Sequence, residues 1–133
     1  MAGLAYVDAS ALVKLVQAEP ETAALESDLA NRDGLLCSRL AATELRRACA
    51  RAKRPRLLQQ VDEVLESVYL VEVTPAILEA AGRLKPVLLR TLDAVHLATL
   101  QTLDEPVDLI TYDDRLADAA KAHGLSVVTP RRR

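Results

Sequence analysis

Short apolar runs alternate with longer stretches of helical period along most of this chain, and that alternation restricts the fold more than any other feature. The runs at residues 4–7, 35–37, 69–73, 107–111 and 126–128 have the length and apolar character of buried strands. Between them the spacing predicts helices over residues 9–18, from Pro20 onward, and over 38–52, 56–67, 74–86, 93–103 and 114–123. Pro20 and Pro75 in first turns, Ser38 as an N-cap and Gly124 behind the final helix supply the start and stop signals. Strand–helix alternation requires right-handed crossovers, and therefore a parallel sheet with helices on both faces. The expected class is α/β, a three-layer α/β/α sandwich around a central parallel sheet of four to five strands. In such sheets chemistry is carried outside the carboxyl ends of the strands, near the point where strand order reverses.

The 133 residues suit a single domain, 1–133, with residues 129–133 read as a disordered basic tail. A chain of this length buries enough surface to fold without a disulfide or a metal. Half of it is hydrophobic but nearly all aliphatic, with no Phe or Trp and only Tyr6, Tyr69 and Tyr112. That excludes the modules that read single-stranded RNA by stacking bases on several rings. Seventeen basic residues against nineteen acidic leave a net charge of −2, which excludes a strongly basic nucleic-acid binder. Cys37 and Cys49 lack paired spacing and read as buried, reduced thiols rather than zinc ligands. No basic segment precedes the first strand and no apolar stretch is long enough to span a bilayer. A cytoplasmic protein is therefore expected.

Four acids stand in unusual places. Asp8 follows the first strand, Asp113 follows the fourth with Asp114 beside it, and Asp93 starts a helix on its apolar line with Leu97 and Leu100. Glu44 lies on the flank of a helical stripe made by Ala41, Leu45, Ala48, Cys49 and Ala52. Singly, each Asp suits a helix cap, and Glu44 suits a surface pair with Arg47. Jointly, they would converge at a large electrostatic cost unless a cation lay among them. A hard divalent ion, Mg²⁺ or Mn²⁺, matches an all-oxygen donor set.

The run Tyr6-Val7-Asp8-Ala9-Ser10-Ala11-Leu12-Val13-Lys14-Leu15 resembles the opening of PIN-domain proteins, in particular the VapC toxins of bacterial toxin–antitoxin pairs. Three later blocks resemble the same family in the same order. They are Ser38-Arg39-Leu40-Ala41-Ala42-Thr43-Glu44-Leu45, Thr91-Leu92-Asp93-Ala94-Val95-His96-Leu97-Ala98 and Thr111-Tyr112-Asp113-Asp114-Arg115-Leu116. The resemblance maps the family's metal-binding acids onto Asp8, Glu44, Asp93 and Asp113. It implies an Mg²⁺- or Mn²⁺-dependent endoribonuclease, a homodimer, and a VapB-type antitoxin that covers the groove.

On that basis Asp8, Asp93 and Asp113 are the expected metal ligands, with Glu44 completing the shell or orienting the attacking water. Ser10 and Thr111 either support a carboxylate or phosphate or make local capping bonds. Asp114 is read as the cap of the last helix, with approach to the metal as the alternative. His96 is read as structural. Arg46, Arg47, Arg51, Lys53, Arg54 and Arg56 cluster within eleven positions, and Arg47 and Arg51 share the Glu44 side of their helix. These two are candidate RNA contacts, against the alternative of a solvated helix end; Arg131–Arg133 are weaker candidates. The alternative function is a non-nuclease carboxylate-edge domain, either a receiver-like phospho-acceptor or an inactive PIN-like binding module. A receiver needs an acidic pair after the first strand and a phospho-acceptor Asp after the middle one. Here the first strand ends in one Asp and the middle one in Val73-Thr74-Pro75.

Overall fold

Among residues 3–131, which the computed structural model describes, five strands and seven helices follow the expected alternation. In chain order they are β1 (Leu4–Val7), α1 (Ala9–Val16), α2 (Thr22–Ala30), β2 (Gly34–Ser38), α3 (Arg39–Arg51) and α4 (Pro55–Glu66). Then come β3 (Tyr69–Val71), α5 (Pro75–Gly82), α6 (Thr91–Gln101), β4 (Val107–Ile110), α7 (Asp114–Ala122) and β5 (Ser126–Val128). The sheet is parallel throughout, in the order β3-β2-β1-β4-β5. After building outward from β1 to β3, the chain returns to pair β4 with the free side of β1. Strand order therefore reverses between β1 and β4, the position at which sheets of this kind carry their sites outside the carboxyl edge.

Side-chain alternation along the strands divides the core in two. Ala5, Val7, Cys37 and Ile110 face one way, packing with α1–α4 through residues such as Leu12, Leu25, Leu45 and Val61. Tyr6 and Leu109 face the other way, onto Leu97 and Leu100 of α6 and Leu116 of α7. A third cluster joins α5 to α6 through Ile77, Ala81, Ala94, Val95 and Ala98. Both cysteines are buried and unpaired, and burial pushes the Cys37 thiol up to about 11.

Local signals define most helix ends. Ser38, at the end of β2, accepts the N–H of Leu40, and Thr74 accepts that of Ile77 ahead of Pro75. Gly124, at φ +76°, closes α7, with Leu125 N–H donating back to the Ala120 carbonyl at 3.0 Å.

Several boundaries differ from the sequence expectation. Pro20 lies in a turn, and α2 begins at Thr22. The Thr22 hydroxyl donates to the Lys14 carbonyl, while Glu19 and Glu21 pair with the Lys14 ammonium, so this turn is tied to α1. Helix α5 stops at Gly82, short of Pro86, and β3 stops at Val71. Asp93 does not start a helix. Arg90 is the N-cap of α6, with its carbonyl accepting Ala94 N–H, so Asp93 lies inside the first turn. Near the end of the chain, Thr129 donates to the Thr111 carbonyl and Pro130 accepts from the Tyr112 hydroxyl. Arg132 and Arg133 lie outside the described residues. No described helix is long and apolar enough to cross a membrane.

Candidate active site at the carboxyl edge

Asp8 directly follows the central strand, as the N-cap of α1, and is only 4% exposed. Its Oδ1 accepts Ala11 N–H at 3.1 Å, capping α1, and the Ser10 hydroxyl at 2.7 Å. Its Oδ2 accepts the Thr111 hydroxyl at 2.7 Å from the end of β4. Ser10 and Thr111 each have one hydroxyl proton, and Asp8 takes both. Their oxygens in turn accept the backbone N–H groups of Tyr112 and Asp113, at 2.9 and 3.0 Å. Burial raises the Asp8 carboxyl above the usual carboxylate range, and the hydrogen bonds from Thr111, Ser10 and Ala11 offset only part of that.

Asp113 divides its two oxygens. Oδ1 caps α7, accepting Arg115 N–H at 2.9 Å and Leu116 N–H at 3.3 Å, while Oδ2 faces Arg90 Nη2 at 3.5 Å. Capping and facing a cation are therefore compatible for one carboxylate. The expected cap of the last helix was Asp114. That role belongs to Asp113, because Asp114 is already the first helical residue, and it lies exposed.

Asp93, 6% exposed, presents Oδ2 to Arg90 Nε at 3.3 Å. One guanidinium thus spans Asp93 and Asp113. Glu44 reaches the region from α3, where its Oε1 lies 2.9 Å from His96 Nε2 on α6. The other ring nitrogen, Nδ1, is 2.9 Å from the Tyr6 hydroxyl. A carboxylate only accepts, so Nε2 carries the proton toward Glu44, and in the neutral ring Nδ1 accepts from Tyr6. Burial holds the Tyr6 hydroxyl protonated by raising its pKa. His96 is a core residue, as its position predicts, but it is also the residue that orients Glu44. Arg47, the other partner considered for Glu44, lies exposed one turn on.

Among the described residues, no three His, Cys, Asp or Glu side chains are already gathered as a ligand cage. The four acids instead meet three kinds of partner: hydroxyls at Asp8, a guanidinium at Asp93 and Asp113, and an imidazole at Glu44. A divalent ion nevertheless fits the donor set. Two carboxylate oxygens already converge on a single cation, and Asp8 is a buried carboxylate with no basic side chain bonded to it. Asp8, Asp93 and Asp113 offer carboxylate oxygens of the kind such an ion takes, while Glu44 is held against His96.

Sequence reasoning missed Arg90 and Tyr6. The Arg-x-x-Asp spacing of Arg90 and Asp93 was a visible signal for the first. Nothing in sequence marks the second, which is one more apolar-run residue until α6 is packed on it. Arg47 and Arg51 are exposed and make no ion pair among the described residues, whereas Arg46 pairs with Asp62 at 2.7 Å. A separate cavity of about 680 Å³ opens at the opposite, amino edge of β1, β4 and β5 and contains none of the four acids.

Comparison with known proteins adds an independent line. Residues 5–122 match the family model described as PIN domain. The chain is 43% identical over 132 residues to Ribonuclease VapC46 of Mycobacterium tuberculosis, covering 94% of this chain and 96% of that protein. It is 42% identical over 130 residues to Ribonuclease VapC35 of the same species, with the same coverage. Among solved structures, Mycobacterium tuberculosis VapC20, a toxin that cleaves the sarcin–ricin loop, superposes with a TM-score of 0.76 at 17% identity, over 96% of this chain and 99% of that one. A toxin–antitoxin complex from Klebsiella pneumoniae gives 0.72 at 23% identity, over 97% and 99%. These two structural matches bear on the fold alone.

Proposed function

This chain belongs to the PIN-domain family, alongside the VapC ribonucleases, and from that membership we propose that it is the endoribonuclease toxin of a VapBC-type pair. Its reaction is Mg²⁺- or Mn²⁺-dependent hydrolysis of RNA phosphodiester bonds. The observation that carries this reading is the convergence of Asp93 Oδ2 and Asp113 Oδ2 on one cationic group, next to buried Asp8 at the strand-order reversal. When bound, the ion supplies Lewis-acid polarisation of the phosphate and a lowered pKa for a water. Asp8, Asp93 and Asp113 hold that ion. Ser10 and Thr111 keep the Asp8 carboxylate aimed, and Glu44, oriented by His96, accepts a proton from the attacking water. Arg47 and Arg51 meet RNA phosphates along α3.

The partners that go with this reading are RNA, a VapB-type antitoxin and a second copy of the chain. Uncovered apolar surface supports a protein partner. Val87 and Leu88 are 87% and 90% exposed, and a groove of about 430 Å³ elsewhere on the surface has Leu40, Leu78, Leu92 and Val95 in its lining.

The test is incubation of the purified chain with total RNA and Mg²⁺ or Mn²⁺, alongside Asp8→Asn and Asp93→Asn. Discrete cleavage that requires the ion and is lost in both variants is expected. Variants that cut as well as the unaltered chain would overturn the site assignment.

A further inference from the structure

Arg90 is positioned where a divalent ion would compete with it. We propose that Arg90 is a built-in competitor for the metal: its guanidinium serves as counter-ion to Asp93 and Asp113 and must leave both before an ion can take their Oδ2 atoms. The proposal rests on the metal-dependent reading of the site.

The geometry separates this role from a purely structural one. Nε reaches Asp93 at 3.3 Å and Nη2 reaches Asp113 at 3.5 Å, both long for charge-assisted bonds. The arginine side chain is 52% exposed, so water screens the pairs and release costs little. No other side chain donates to these two oxygens among the described residues. Asp93 makes no further side-chain bond, and Asp113 spends its other oxygen on the α7 cap. Without Arg90 two carboxylates would face a common space with no cation in it, which disfavours the metal-free state. The arginine therefore stabilises the metal-free form and, by linkage, weakens metal binding. Its backbone is the α6 N-cap at the end of the α5–α6 connection, so the side chain can swing out without disturbing a helix interior.

Mn²⁺ binding, read from the electron paramagnetic resonance signal of the free ion, tests this on the full chain, Arg90→Gln and Arg115→Gln. Arg115 is exposed, follows Asp113 by two residues and forms no ion pair among the described residues, so it controls for simple loss of a positive charge. Arg90→Gln is expected to bind Mn²⁺ about fivefold more tightly, the scale of two screened ion pairs, while Arg115→Gln stays near the unaltered chain. In EDTA, Arg90→Gln should melt below the unaltered chain, and Mn²⁺ should raise its melting temperature by more. Equal or weaker Mn²⁺ binding by Arg90→Gln would overturn the proposal, as would equal tightening by Arg115→Gln. If none of the three chains binds Mn²⁺, the metal-dependent reading falls and the competition with it.

Discussion

Thr111 donates its hydroxyl proton to Oδ2 of Asp8 at 2.7 Å, so the carboxylate directly after β1 is aimed by the residue that follows β4. The pair lies at the reversal of strand order, and neither residue is appreciably exposed. Thr111→Val keeps the shape, removes the donor, and also leaves Asp113 N–H without its acceptor. We expect a loss of about 1–3 kcal/mol in urea unfolding together with reduced RNA cleavage. Thr111→Ser should recover most of both. Equal losses in the two variants would show that the methyl group, not the hydroxyl, is what the site uses.

Glu44 and His96 form a second such pair, with Tyr6 behind the imidazole. His96→Asn should lower kcat by about tenfold to a hundredfold, as loss of an orienting partner does, with less effect on KM and an unchanged circular dichroism spectrum. In a Glu44→Gln background the same substitution should cost almost nothing further, because the two act as one unit. Multiplicative losses would separate them.

Arg47 and Arg51 give a prediction that depends on salt rather than on rate. If each neutralises one phosphate of single-stranded RNA, the double Arg47→Ala, Arg51→Ala variant should lower the slope of log binding constant against log salt by about 1.4. Binding should weaken similarly for unrelated RNA sequences. An unchanged slope would leave these arginines as ordinary solvated residues at a helix end.

Far from the site, Asp108 carries a pH-dependent share of stability. The Ser126 hydroxyl and the Arg32 guanidinium hold its carboxyl below the ordinary carboxylate range. A depressed folded-state pKa means that the stabilisation is complete above the unfolded value of about 3.9 and is lost as pH falls from there toward the folded value. The difference in urea midpoint between the unaltered chain and Asp108→Asn should therefore be flat near neutrality and shrink below about pH 4. A difference that persisted undiminished in acid would point to shape rather than charge.

Much of the architecture was legible because strand and helix periods are local properties. The five apolar runs, the Ser38 cap and the Gly124 stop each depend on residues a few positions apart. Boundaries shifted where a tertiary contact intervened. Thr22 begins α2 because its turn is tied back to Lys14; the start of α6 at Arg90 is instead a local backbone matter, its carbonyl accepting Ala94 N–H. The sequence also raised a choice for Asp113 between capping and facing a cation. The fold has one oxygen do each.

By itself, then, the sequence determined that Asp8 and Asp113 stand at the carboxyl ends of strands and that Glu44 and Asp93 lie on helices, since alternation and helical phase depend on near neighbours. Only the tertiary structure decided what each carboxylate meets: Thr111 for Asp8, His96 for Glu44, and Arg90 for Asp93 and Asp113 together. Three of these contacts join residues 103, 52 and 23 positions apart. Hydrophobic periodicity specifies which face of an element is buried, but it does not encode which distant element will be packed against that face.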